Sequence, residues 1–222
     1  MILDIDLVSD FVCPWCFLGK TRLDHALAEL RASRPDLEVR VNWLPFFLNP
    51  DTPAAGEPYR AFLDAKFGGP IKAEAVLDSV REAAAMDGLH YAFERIQTRP
   101  NTLHAHRLMY RAQAAGRKPA HIQALAQALF AAHFQEGRDI GDADTLADLA
   151  AACGDRRDAV AAYLVGKADI DKVGRMAEGV RRQGIDGVPF FILNRKLALS
   201  GAQSAAVLGA AILQSLQTGK PS

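Results

Sequence analysis

Two cysteines separated by two residues, Cys13-Pro14-Trp15-Cys16, are the side chains of this sequence best suited to chemistry. Such a pair directly after a strand, opening a helix, is the setting in which it reads as redox-active. Pro14 falls at the expected first helical residue, where its missing N–H costs nothing, which puts Cys13 at the N-cap. A sulfur there faces unpaired N–H groups and the positive end of the helix dipole, and both favour thiolate over thiol. Cys16, one turn further in, faces the interior and is the less ready to ionise. The asymmetry predicts that Cys13 attacks a substrate disulfide and that Cys16 resolves the mixed disulfide across one turn.

Competing readings of the pair are half a zinc site, a structural disulfide and two inert buried thiols. Tetrahedral zinc needs two more ligands, and neither Cys153 nor the histidines form a second knuckle, so no metal is expected. His104 and His106 are two apart, which on a helix sends them to different faces. Cys153, in the apolar helix end Leu149-Ala150-Ala151-Ala152-Cys153-Gly154, reads as core. Val188-Pro189 opens an apolar strand, a place where proline is allowed. Beside a redox pair it can equally be a cis-proline at the active site.

The elements that would hold these residues follow from periodicity. Ile2 to Val8 is apolar and β-branched, a buried strand ending at Ser9-Asp10. From Pro14, apolar positions keep helical spacing until Pro35. Leu37, Val39, Val41 and Trp43 alternate with polar residues as a second strand. The three prolines of residues 48–58 indicate a surface connection. Tyr59 to about Gly184 shows helical periodicity and no convincing strand, with breaks at Gly68-Gly69-Pro70, Gly88, Pro100, Gly116 to Pro119, Gly137 to Gly141 and Gly154. Its clearest helix runs from Pro119 to Gln135. Strand chemistry returns at 188–193 and, after the turn Asn194-Arg195-Lys196, at 197–199. A last helix carries Ala206 to Leu213, ends near Gly219-Lys220-Pro221, and leaves a tail that should fray.

The order βαβ, helical block, ββα defines an α/β protein: a thioredoxin fold interrupted by a large all-helical insertion. The thioredoxin-like domain would comprise residues 1–50 and 185–222, and the insertion 51–184.

The chain has 222 residues, half of them hydrophobic, with 26 Lys plus Arg against 26 Asp plus Glu. Balanced charge supplies no global field for nucleic acid or anionic membrane. No apolar run reaches the roughly 18 residues of a membrane span. Met1-Ile2-Leu3-Asp4-Ile5-Asp6 lacks the basic n-region of a secretory signal, and three cysteines make no disulfide framework, so a cytoplasmic location is expected. Apolar stripes on the insertion helices could pair subunits into a homodimer.

Nearly the whole chain resembles the DsbA-like oxidoreductases, closest to the FrnE-like branch, and is similar to 2-hydroxychromene-2-carboxylate isomerases and kappa-class glutathione transferases. The likeness is carried by Ser9-Asp10-Phe11-Val12-Cys13-Pro14-Trp15-Cys16-Phe17-Leu18-Gly19, by Pro45-Phe46-Phe47-Leu48-Asn49-Pro50, by Asn101-Thr102-Leu103-His104-Ala105-His106-Arg107-Leu108, by Gly187-Val188-Pro189-Phe190-Phe191 and by Ser200-Gly201-Ala202-Gln203. It implies that the insertion lids the active site, that Cys13 and Cys16 with a cis Pro189 are catalytic, and that the Val188 backbone pairs with an extended substrate.

Pro14, Trp15, Asn101 and His104, together with Val188, are then the substrate-contacting candidates, with Arg107 a further cleft residue. For Asn101 a helix N-cap after Pro100 explains the residue equally well. Trp43 with Pro45-Phe46-Phe47 could face substrate, though packing on the sheet accounts for them, and Arg181-Arg182 fits a solvated helix face.

The resemblance implies no bound cofactor beyond the Cys13/Cys16 disulfide, with protein or small-molecule thiols and disulfides as partners and glutathione as a conceivable co-substrate. The alternative is a glutathione-dependent isomerase or transferase of aromatic small molecules. In those relatives serine replaces the first cysteine, whereas Cys13 is intact here. The Pro-Trp dipeptide also departs from the Pro-His of periplasmic DsbA.

Overall fold

The computed structural model describes residues 2–217. In chain order the elements are β1 (Ile2–Ser9), α1 (Pro14–Ser33), β2 (Glu38–Pro45), β3 (Glu57–Pro58), α2 (Tyr59–Phe67), α3 (Pro70–Ala85), a 3-10 turn (Phe93–Arg95), β4 (Thr98–Arg99), α4 (Leu103–Ala114), α5 (Pro119–Phe134), α6 (Ala143–Ala152), α7 (Arg157–Val165), α8 (Ile170–Arg182), β5 (Phe190–Leu193), β6 (Leu197–Ser200) and α9 (Ala205–Gln217). The chain divides into two compact units, with boundaries at Phe46/Phe47 and Arg175/Met176. The central unit is the helical one, and the unit formed by the two chain ends carries the main sheet.

That sheet has the order β2-β1-β5-β6. β1 runs parallel to β2 from Ile2↔Glu38 to Ser9↔Pro45 and antiparallel to β5 from Ile5↔Leu193 to Val8↔Phe190. A parallel neighbour requires a crossover, and α1 supplies it. Leu3, Ile5 and Leu7 on one face of β1 are fully buried, as are Phe17 and Leu18 of α1. Each such Leu or Ile contributes about 1.5–3 kcal/mol of burial. Asp4, on the other face, is exposed.

The β5–β6 hairpin turns through Asn194 and Arg195, both left-handed at φ 49° and 57°. Lys196 N–H donates back to the Leu193 carbonyl at 2.9 Å across these two residues, and Asn tolerates the left-handed backbone well. Asn194 also ties the turn to β1: its Oδ1 accepts from Asp4 N–H at 3.0 Å, and its N–H donates to the Asp4 carbonyl at 2.8 Å.

The helical unit departs from its sequence reading in two places. Glu57–Pro58 and Thr98–Arg99 form a two-residue antiparallel ladder, too short to show any period. The chain also breaks between α7 and α8, where Gly166 and Asp169 interrupt what reads as continuous helix. Strand β5 begins at Phe190, so Val188 and Pro189 precede it. The expected helix end near Gly219-Lys220-Pro221, and the tail, lie outside the described residues.

Candidate functional site

β1 ends at Ser9, and the chain turns within Asp10-Phe11-Val12, where Cys13 N–H donates to the Asp10 carbonyl at 3.0 Å. Cys13 is the N-cap of α1, with extended backbone (φ −92°, ψ 113°) and Pro14 in the first turn. Its carbonyl accepts from Cys16 N–H at 3.0 Å and Phe17 N–H at 3.3 Å, which closes the turn. Its sulfur makes no capping hydrogen bond to α1. Instead Cys13 Sγ points to the Val188 carbonyl oxygen, 3.8 Å away across 175 residues of chain.

The Val188–Pro189 peptide is cis. Two contacts fix Pro189. Its carbonyl accepts from Gly201 N–H at 2.8 Å, and its ring lies against α1 where Gly19 has no side chain. Gly201 itself has φ 80°, a conformation open to glycine at little cost. Ser200-Gly201 and Gly19 thus hold the segment facing Cys13.

Cys13 and Cys16 are both buried free thiols. Burial, and next the neighbouring Cys13 sulfur, push the Cys16 thiol well above the usual thiol range, with the Ser9 hydroxyl and the Asp10 backbone opposing. Trp15, between them, is 37% exposed, a large apolar ring at the surface of the turn. Phe11 stacks on buried Trp43 at 5.8 Å, and Arg181 lies 4.2 Å over the Phe46 ring, so these aromatics are spent on packing.

Four further candidates belong to the helical unit. Asn101 uses both ends of its amide there: Nδ2 donates to the Thr52 carbonyl at 2.7 Å, and Oδ1 accepts from Leu103 N–H at 3.0 Å. The N-cap of α4 is Thr102, and Asn101 acts one residue earlier. His104 is half-buried, and burial, followed by the Arg107 charge, lowers its pKa. His106 meets Phe47 edge to face at 5.1 Å.

Arg107 is not a cleft residue. It is fully buried, and its guanidinium donates to the carbonyls of Tyr163, Leu164, Gly166 and Ala168 at 2.7–2.9 Å. These are the orphan acceptors at and beyond the C-terminus of α7, which a planar fork of donors suits. Cys153, read as core, is only half-buried at the end of α6. Among the described residues no three His, Cys, Asp or Glu side chains gather as metal ligands. No described helix is long and apolar enough to cross a membrane.

Gly19 and Ser9 bound the segment that carries the family likeness, but the sequence assigns neither a role of its own. Gly19 sits inside a helix where glycine costs up to about 1 kcal/mol, and that anomaly was the available signal. A serine at a strand end carries none.

The fold that carries this site recurs in known proteins. The chain is 32% identical to a probable DsbA oxidoreductase from Streptomyces coelicolor, with a TM-score of 0.83 over 99% of this chain and 92% of that one. A 2-hydroxychromene-2-carboxylate isomerase shares the fold at 17% identity, TM-score 0.70, covering 98% and 97% of the two chains. So does the cytosolic disulfide reductase DsbM from Pseudomonas aeruginosa, solved with glutathione, at 19% identity and TM-score 0.65 over 96% and 99%. An uncharacterized protein, YwbO of Bacillus subtilis, is 28% identical over 150 residues, 68% of this chain and 66% of that relative, just under two thirds of its length. The sequence pattern of the DSBA-like thioredoxin domain matches residues 4–213, and the chain belongs to that family.

Proposed function

We propose that the protein is a thiol-disulfide oxidoreductase working through Cys13-Pro14-Trp15-Cys16. The observation that carries this reading is the unequal pair: Cys13 at a helix N-terminus with its sulfur toward the Val188 carbonyl, and Cys16 buried with its thiol pushed upward. The Cys13 thiolate attacks one sulfur of a substrate disulfide, forming a mixed disulfide and expelling the other sulfur as thiolate. Cys16, having lost its proton to solvent, attacks Cys13 Sγ, closes the Cys13–Cys16 disulfide and releases the second substrate thiolate. Two electrons pass to the substrate. Run backwards, the same steps oxidise a dithiol.

In this account an extended substrate pairs with the Val188 backbone beside Pro189, and Pro14 and Trp15 contact it from the turn. Asn101 and His104 are the candidates from the helical unit. Substrates are thiols and disulfides of proteins or small molecules. Glutathione is the small co-substrate suggested by the DsbM structure, whose name also supports a cytosolic reductase, while the FrnE-like placement rests on the sequence resemblance alone. A Cys16→Ser variant should accumulate mixed disulfides on Cys13, read by intact mass. Their absence in the presence of excess oxidised glutathione would overturn the mechanism.

The isomerase neighbour supports a second reading, a glutathione-dependent isomerase or transferase of aromatic small molecules. Isomerisation of a hydroxychromene carboxylate with glutathione, surviving Cys16→Ser, would favour it.

A further inference from the structure

Helix α1 meets the segment facing Cys13 at two points about one turn apart. Gly19 is the first, lying against the Pro189 ring. Arg22 is the second, three residues on and therefore on the same face of the helix. Its Nη1 donates to the Ala202 carbonyl at 2.7 Å, 180 residues away in the chain. Ala202 belongs to the strap 200–203 at the end of β6, which is also tied to itself. Gln203 N–H donates to the Gly201 carbonyl at 2.9 Å, closing a three-residue turn around Ala202. Gln203 Nε2 donates to the Ser200 carbonyl at 2.7 Å. From this strap Gly201 N–H donates to the Pro189 carbonyl at 2.8 Å. The hydrogen bonds thus lead from Arg22 to the neighbour of Val188, whose carbonyl faces Cys13 Sγ at 3.8 Å. Of the ties on the strap, the one from the guanidinium has a charged donor, and such bonds are roughly twice as strong as neutral ones.

We infer that Arg22 is a positioning residue that tunes the protein to extended substrates: acting through Ala202 and Gly201, it fixes where the Val188–Pro189 backbone stands beside Cys13. The inference rests on the oxidoreductase reading and deepens it, by naming a residue that favours peptide disulfides over small ones. A peptide disulfide has to align with the Val188 backbone to present its sulfur to Cys13, so a displaced segment slows it. A small aromatic disulfide needs only the Cys13 sulfur.

The test uses two probes with one leaving group: Ellman's reagent, and a short unstructured peptide whose central cysteine carries thionitrobenzoate in a disulfide. With either, the Cys13 thiolate of the reduced protein attacks one sulfur, the new disulfide forms, and the old S–S bond breaks to expel thionitrobenzoate, which is followed by absorbance. In Arg22→Met the ratio of the peptide rate constant to the Ellman rate constant falls about tenfold, less than a misplacement of about 1 Å can cost. Arg22→Lys still places one N–H on one carbonyl and keeps most of the parent's ratio. A variant that was merely destabilised would change both rate constants together and leave the ratio where it was. Methionine preserves helix propensity and the apolar stem, so Arg22→Met is expected to fold. Should it not, Gln203→Met removes an exposed bond of the same strap and has to lower the ratio in the same direction.

A ratio unchanged in Arg22→Met, or lost as fully in Arg22→Lys, overturns the role of Arg22 alone. Equal thionitrobenzoate release by the parent and by Cys13→Ser overturns that role and the oxidoreductase reading together.

Discussion

Gly19 lies against Pro189 so closely that a Cβ on Gly19 would stand 2.9 Å from Pro189 Cγ and 3.2 Å from Phe191 Cζ. A helical glycine is normally a loss, and here the missing methyl lets the cis-proline segment settle onto α1 beside Cys13. Gly19→Ala gains up to about 1 kcal/mol of helix propensity and loses about 1–3 kcal/mol to overpacking. The expected result is a net loss of about 1 kcal/mol in denaturant melts, with disulfide exchange reduced about tenfold or more as Val188 and Pro189 are pushed from Cys13. Unchanged exchange kinetics would mean that the proline segment does not need this contact.

Arg107 supplies a second prediction, in the helical unit. Its guanidinium serves four backbone carbonyls around the end of α7 and lies 4.9 Å over the Tyr163 ring. Arg107→Met leaves those acceptors buried without donors and should cost about 3–5 kcal/mol, comparable to breaking a buried charged network. Arg107→Lys should recover little, since one ammonium cannot span the fork. The measurement is the denaturant midpoint of the parent and the two variants.

Alkaline pH should reveal Tyr59 and Tyr163. Burial pushes Tyr59 up to about 12, and burial followed by the hydrogen bond with Asp169 pushes Tyr163 to about 12. Both exceed the unfolded value of roughly 10, so the folded state holds these protons longer. Their contribution is complete below the unfolded value and is lost as pH rises towards 12. Ultraviolet titration should show late-appearing tyrosinates that Tyr59→Phe and Tyr163→Phe each reduce, with unfolding setting in over the same window. Ionisation of all four tyrosines together near their unfolded value would contradict these environments.

Much of this was legible from residue order, for identifiable reasons. β1 and β2 carry a two-residue period, Pro14 and Pro35 bracket α1, and Cys13 could be placed at an N-cap because proline at the first helical position marks the start. Asn194-Arg195 betrayed the hairpin through turn chemistry. What was missed depends on partners distant in sequence. Arg107 looked like a cleft residue because the carbonyls it serves lie 56 to 61 positions later. Gly19 acquires meaning only once Pro189 arrives from 170 residues on. The β3–β4 ladder is two residues per strand, below the length at which alternation can be seen, and the α7–α8 break carries apolar spacing up to Val165.

The central claim is that Cys13 is the attacking sulfur and Cys16 the reserve. It is tested most directly by comparing disulfide exchange in the parent with Cys13→Ser, using the reduced proteins and oxidised glutathione at neutral pH. Burial, the largest of the influences that push the Cys16 thiol upward, persists without the Cys13 sulfur, so Cys16 alone should be a poor nucleophile and exchange by Cys13→Ser should fall by a factor of about 100 or more. Equal rates in Cys13→Ser and the parent would contradict the account.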